Sequence, residues 1–138
     1  MTVRTTIALL CAPLLATGLT ACATTVSTSS FKGERQQVAQ AVANLQSHAT
    51  ALEAKKVCGE DLAAARVAQL NASGGCKKAL ESQLKEIDSF EATVESVTIN
   101  GRTATARVKS VLAGKKAVQT LDLVKEGTHW KISGLPGG

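Results

Sequence analysis

Few residues in this chain are able to do chemistry. His48 and His129 are the only imidazoles in 138 residues, and there is no tyrosine. A hydrolytic triad needs a serine, a histidine and an acid converging on one point. His48 falls on the edge of a helical stripe, where a boundary residue is a simpler assignment than a ligand. His129 falls on the outward face of a strand, opposite Val124 in the register derived below. Glu95 is the one carboxylate that strict strand alternation puts on the inner face of a sheet, between Thr93 and Val97. There it would be a pocket acid whose pKa is raised by desolvation. A β-bulge near Glu95-Ser96 would instead turn it outward and bring Val94 in, and that is the preferred reading. Asp88 at a helix end and Asp122 on the outer sheet face take structural places. Gly74-Gly75 reads as a turn between helices and not as a phosphate-binding loop. The expectation is a domain with no catalytic residue, no metal site and no cofactor.

Four cysteines are present, and the first two lie in a segment built like an export signal. Arg4 supplies a positive start, residues 7–15 form a short apolar run interrupted by Pro13, and Leu19-Thr20-Ala21-Cys22 follows. The run is far short of the roughly 20 apolar residues that span a bilayer. Leu19 to Cys22 resembles the bacterial lipobox, in which an aliphatic residue and two small residues precede a cysteine that takes a diacylglycerol. Cys11 is a poor rival acceptor, because the large Leu10 precedes it inside the apolar run. A plain signal peptide cut near Ala21, or an uncleaved anchor, is the competing reading. Residues 1–21 are therefore expected to be a lipoprotein signal peptide, and residues 22–33 the lipidated Cys22 with a flexible tether. Two acyl chains anchor stably where one is marginal. Cys58 and Cys76 then remain as an even pair in an oxidising compartment, which predicts a disulfide between them. Their spacing is not the CxxC of a redox or metal pair.

The length suits one domain. Hydrophobic residues make up 44% of the chain but aromatics only 2%, with two Phe and one Trp. The core must be built from Ala, Val, Leu and Ile, each burying less area than an aromatic at roughly 25 cal/mol per Å². Such a core invites a covalent staple. The formal charge is +5. No interleaving of aromatic and basic residues suggests base stacking, so nucleic acid is not an expected partner. On an exported protein, Lys55-Lys56, Lys77-Lys78 and Lys115-Lys116 would each add about 1 kcal/mol per charge close to an anionic membrane or cell-wall polymer. Solvated faces and turns are the plainer reading of the same pairs.

The elements that position these residues follow from periodicity. Val38, Ala41, Val42, Leu45, Ala49 and Leu52 form one stripe at helical spacing, which predicts a helix over residues 34–56. Gly59 breaks it. A shorter helix over 60–70 has Leu62, Ala63, Val67 and Leu70 on its apolar side, with Arg66 inside the same arc. After the Ser73-Gly74-Gly75 turn, Cys76, Leu80, Leu84 and Ile87 share one face of a helix over 76–88. The period then becomes two, predicting strands over 91–99, 102–112, 117–125 and 128–133. Asn100-Gly101 reads as a type I′ hairpin pairing Ile99 with Arg102 and Val97 with Ala104. Glu126-Gly127 reads as a second two-residue turn, with Leu123 opposite Trp130, Leu121 opposite Ile132, and Asp122 opposite Lys131. Residues 113–116 link the two hairpins. The expected fold is α+β: three N-terminal helices packed on a curved four-stranded antiparallel sheet.

Over residues 34–134, the long first helix, the Cys58 and Gly74-Gly75-Cys76 spacing, and the ending VTINGRTATARV…LDLVKEGTHWKISG resemble the nuclear transport factor 2-like superfamily, in its bacterial lipoprotein branch. The resemblance implies a cone-shaped domain over 34–134, closed by Trp130, with residues 135–138 as a flexible tail. It also raises the superfamily's enzymes, such as ketosteroid isomerases and epoxide hydrolases. This chain lacks the tyrosine that an isomerase uses as oxyanion donor. The leading expectation is a non-catalytic interaction module. It would be lipid-anchored on the extracytoplasmic face of the cell membrane, meeting the bilayer through Cys22 and an envelope protein or cell-wall polymer. The alternative is a carrier or sensor of a small apolar ligand, in a cone pocket lined by Glu95, Ala104, Ala106, Leu45, Leu84 and Trp130. That alternative requires that Leu45, Leu84 and Trp130 leave the space open.

Overall fold

The computed structural model describes residues 28–86, 90–112 and 114–134. The expected signal, Cys22 and the tail over 135–138 lie outside the described residues. Helix α1 (Glu34–Thr50) buries Val38, Ala39, Val42 and Ala49. Phe31, expected in the tether, already packs against the core, so the chain is held from that residue onward.

The first helix stops earlier than its apolar stripe suggests. The Leu52 N–H donates to the Ala49 carbonyl at 3.1 Å, and the Glu53 N–H to the His48 carbonyl at 2.9 Å. Those two bonds are the Schellman pair that satisfies the last carbonyls of a helix. The motif needs a left-handed residue, and Leu52 takes that role with φ of 58°. No glycine marks the break, which is why periodicity runs through it. Leu52 is consequently exposed and leaves the stripe. Replacing it by glycine should raise stability by about 0.5–1 kcal/mol, since a left-handed side chain costs energy and this one buries little. Urea denaturation of Leu52→Gly measures this, and a loss of stability would contradict it.

Helix α2 (Ala54–Lys56) runs into a π-helical turn, Val57–Asp61, closed by the Leu62 N–H on the Val57 carbonyl at 3.0 Å. Leu62 is extended and bridges Ile132 in parallel, and the Ala63 N–H donates to the Ile132 carbonyl at 2.8 Å. Helix α3 (Ala64–Ala72) therefore begins four residues later than expected. Helix α4 (Cys76–Lys85) follows the glycine turn, with Asn71 Oδ1 accepting from the Cys76 N–H at 3.0 Å. The Cys58–Cys76 disulfide is present, with Cα atoms 6.2 Å apart, and it ties the π turn to the start of α4.

Strands β1 (Phe90–Asn100), β2 (Thr103–Leu112), β3 (Lys115–Glu126) and β4 (His129–Gly134) form an antiparallel meander in sequence order. The architecture is the expected α+β one, helices on a curved open sheet. At each hairpin the turn lies one residue later than expected, so residues beside it take partners two positions further on. Ile99 faces Ala104, and Val97 faces Ala106. Leu123 faces Ile132, Val124 faces Lys131, and Lys125 faces Trp130. The cause is common to both turns. Gly101 and Gly127 occupy the first loop position, with φ of 60° and 62°, whereas Arg102 and Thr128 are not left-handed. That is the type II′ pattern, not type I′. His129 accordingly lies opposite Glu126 and not Val124, and a further register irregularity between Asp122 and Leu123 puts Asp122 opposite Gly134 and not Lys131. The link between hairpins is itself tight, with Leu112 paired to Lys115.

The inner face carries Ala92, Val94, Val97, Ala104, Ala106, Val108, Leu121, Leu123, Trp130 and Ile132, all buried. The register slips between Val94 and Ser96, so Val94 turns inward and Glu95 outward.

Candidate functional site

Where α1, α3 and α4 lean over the sheet, the aliphatic core does not fill the space between them. A cleft of about 260 Å³ opens there. Leu45 and Ala49 of α1 form one wall, and Val57 and Leu62 the back. Leu70 of α3 and Leu80 and Leu84 of α4 form the opposite wall. The sheet contributes Phe90, Ala92, Val108, Leu112 and Leu121 as its floor. Three lining residues are polar: Arg66, Gln83 and Gln119. The disulfide fixes the two helical pieces that carry Val57 and Leu80.

Leu45 and Leu84 line this cleft as anticipated. The other four residues expected there lie elsewhere. Ala104 and Ala106 are buried in the sheet core, and neither lines the cleft. Trp130 is buried, its indole N–H has no hydrogen-bond partner among the described residues, and Lys125 Nζ lies 5.8 Å from its ring centroid. It borders a separate cleft of about 290 Å³, lined by polar residues including Gln40, Asn44, Asp61 and Lys131. Glu95 is on the outer face, because the bulge reverses its direction. It accepts from Lys109 at 2.7 Å and Arg107 at 3.0 Å. Those two cations, Lys109 foremost, hold its pKa below the ordinary glutamate value.

Three polar positions were missed by sequence reasoning. Arg66, inside the apolar arc of its helix, is half-buried and lines the cleft. Gln46 is buried on α1, and its Oε1 accepts from the Ala92 N–H at 3.2 Å, joining helix to sheet. Its place between Val42 and Ala49 in the apolar stripe was the available signal. Asp61 is buried and lies 2.8 Å from His48 Nδ1. His48, placed at the boundary of its stripe, is half-buried and stands on the partner side of this pair.

Burial raises the Asp61 pKa above the ordinary aspartate value, and the hydrogen bond and charge of His48 oppose the rise. An acid whose pKa is raised on folding binds more protons folded than unfolded between the two pKa values. Stability contributed by Asp61 is thus present at low pH and falls as pH climbs through that window. The ionised carboxylate is a net cost above it. Asp61→Asn should leave the domain at least as stable at pH 7, with a flatter profile above pH 4. His48→Ala should cost about 1–3 kcal/mol at pH 7, because it strands a buried carboxylate without its partner. Thermal melts of the three proteins across this range measure both effects. A steeper profile for Asp61→Asn would refute the assignment.

Among the described residues no cluster of His, Cys, Asp or Glu has a metal-binding arrangement, and no helix is long and apolar enough to cross a membrane. No curated protein and no solved structure matches the chain. A family model described as "Putative lumazine-binding" matches residues 63–134, just over half of the chain. The matched segment contains α3, α4 and all four strands, hence most of the cleft's walls. The chain belongs to this family, which is of the nuclear transport factor 2-like type.

Proposed function

We propose that this protein binds a small, mainly apolar ligand in the cleft between its helices and sheet, without catalysing a reaction on it. It does so as a lipoprotein tethered through Cys22 to the extracytoplasmic face of the cell membrane. The observation that carries the reading is the cleft itself: apolar walls, a few polar groups at the rim, and walls held by a disulfide. Ligand sites have that composition. The description of the matching family, lumazine-binding, supports a small-ligand role. The lipobox-like Leu19 to Cys22 segment supports the tether.

A second reading, a docking module for an envelope protein or cell-wall polymer, draws on the outer face of the sheet. Val118 is half-exposed there, beside Lys109 and Lys116 in a shallow depression. The patch has only two branched apolar side chains, Val111 and Val118, which is little for a stable interface.

The test uses the full chain with Cys22→Ser, purified without detergent, and titrates it with the neutral apolar dye Nile red and with lumazine. Saturable binding of either is expected. Leu80→Trp, which places a larger ring on the cleft wall, should weaken it by at least roughly tenfold with the circular dichroism spectrum retained. Binding that survives Leu80→Trp would put the ligand elsewhere. The tether is tested by feeding cells an alkyne-tagged fatty acid: label is expected on the wild type and not on Cys22→Ser.

A further inference from the structure

We infer that the ligand of the cleft is a single-chain amphiphile with an anionic oxygen head, a carboxylate or a phosphate, and that Arg66 receives the head. The inference rests on the cleft being the ligand site. Arg66 is the sole charged residue among the described residues that line it. Arg66 is half-buried as a residue, and its guanidinium makes its hydrogen bond on the exposed side. Its recorded partner is the neutral Gln69 Oε1, one turn along α3, at 3.2 Å. No carboxylate lies within ion-pair distance of it among the described residues.

A guanidinium at the edge of an apolar cleft carries its charge there with no counter-charge beside it among the described residues. Its fork of donors matches two oxygens of one anion. A cationic ligand would meet like charge at the entrance. A neutral one would leave the fork unanswered. Gln83 and Gln119, also on the lining, offer amide N–H groups that suit oxygen acceptors as well. Beyond this rim every lining residue is apolar, which suits a hydrocarbon tail. The volume of about 260 Å³ limits the tail to one chain or one small ring system. It lies below the usual range of drug-sized pockets, roughly 300–1,000 Å³.

The experiment displaces Nile red from the full chain carrying Cys22→Ser. The competitors are decanoate, monodecyl phosphate, decanol and decyltrimethylammonium, each below its aggregation concentration. At least one anion should displace the dye at roughly tenfold lower concentration than decanol, and the ammonium should be weakest. The better of the two anions identifies the head. Arg66→Gln should remove the advantage of the anions and leave decanol unchanged, while Arg66→Lys should keep part of it. Equal potency of decanol and both anions overturns the ligand class, an advantage that persists in Arg66→Gln overturns the role of Arg66, and either leaves the cleft reading intact. Failure of the dye itself to bind overturns both.

Discussion

Ile132→Ala is expected to cost about 3–4 kcal/mol. Ile132 is fully buried, faces the equally buried Leu123 across the β3–β4 pair, and bridges Leu62 in the helical layer. Its carbonyl accepts the Ala63 N–H at the point where the chain leaves the π turn. The side chain thus sits where sheet and helices join. Truncation loses the transfer energy of its methyl and methylene groups and leaves a cavity that neither backbone can close. In a domain of total stability near 5–15 kcal/mol, that is a large fraction. There is little aromatic area to compensate, since Trp130 is the sole tryptophan. Urea denaturation should show a lower midpoint with an unchanged slope. Ile132→Val, which keeps the branch at Cβ, should lose only about 0.5–1.5 kcal/mol. A loss below about 1 kcal/mol for the alanine variant would show that this junction does not carry the core.

Loss of the Cys58–Cys76 bond is expected to cost about 3 kcal/mol, the chain-entropy value for residues 18 apart. The double variant Cys58→Ala/Cys76→Ala avoids leaving a polar hydroxyl at Cys76, which is buried. Its Tm should fall by roughly 12 °C or more. Reduction of the wild type should produce a similar fall, which separates the missing bond from the missing sulfur atoms. The functional consequence follows from where the bridge sits. It joins the turn carrying Val57 to the helix carrying Leu80 and Leu84, three residues on the cleft wall. Dye affinity should therefore drop even at temperatures where the reduced protein is folded. Unchanged affinity with a lowered Tm would mean that the helices hold the cleft without the staple.

The two hairpins make clear how far local sequence reaches. Moving the turn by one residue shifts partners near it but exchanges no residue between faces, because each partner changes by two positions and strand side chains alternate with period two. Val97, Ile99, Ala104, Ala106 and Val108 face inward under either register, so alternation identified the core face and was blind to the pairing. The shift matters only where specific partners matter. Asp122 loses Lys131, and Lys125 gains a place beside Trp130 and an ion pair with Glu34. The bulge at Glu95 was legible as the preferred alternative, since Val94 is the better core residue and Arg107 and Lys109 stand ready on the outer face.

The sequence by itself determined the class of fold, the change from helical to strand period, the inner face of the sheet and the Cys58–Cys76 pair. Each of these depends on residue type at short spacing, or on a cysteine count. Only the tertiary structure decided where the first helix ends, because Leu52 adopts a left-handed conformation that its residue type disfavours. It also decided that Asp61 meets His48, an encounter that depends on the π turn reversing the chain. The location of the open space was likewise settled in three dimensions. Small residues at Ala104 and Ala106 suggested room in the cone interior beside them, yet both are buried in the sheet core, and the open space lies where α1, α3 and α4 lean over the sheet. A void is the difference between the volume that elements enclose and the volume that side chains fill. Composition states the second, and only the arrangement of the helices on the sheet sets the first.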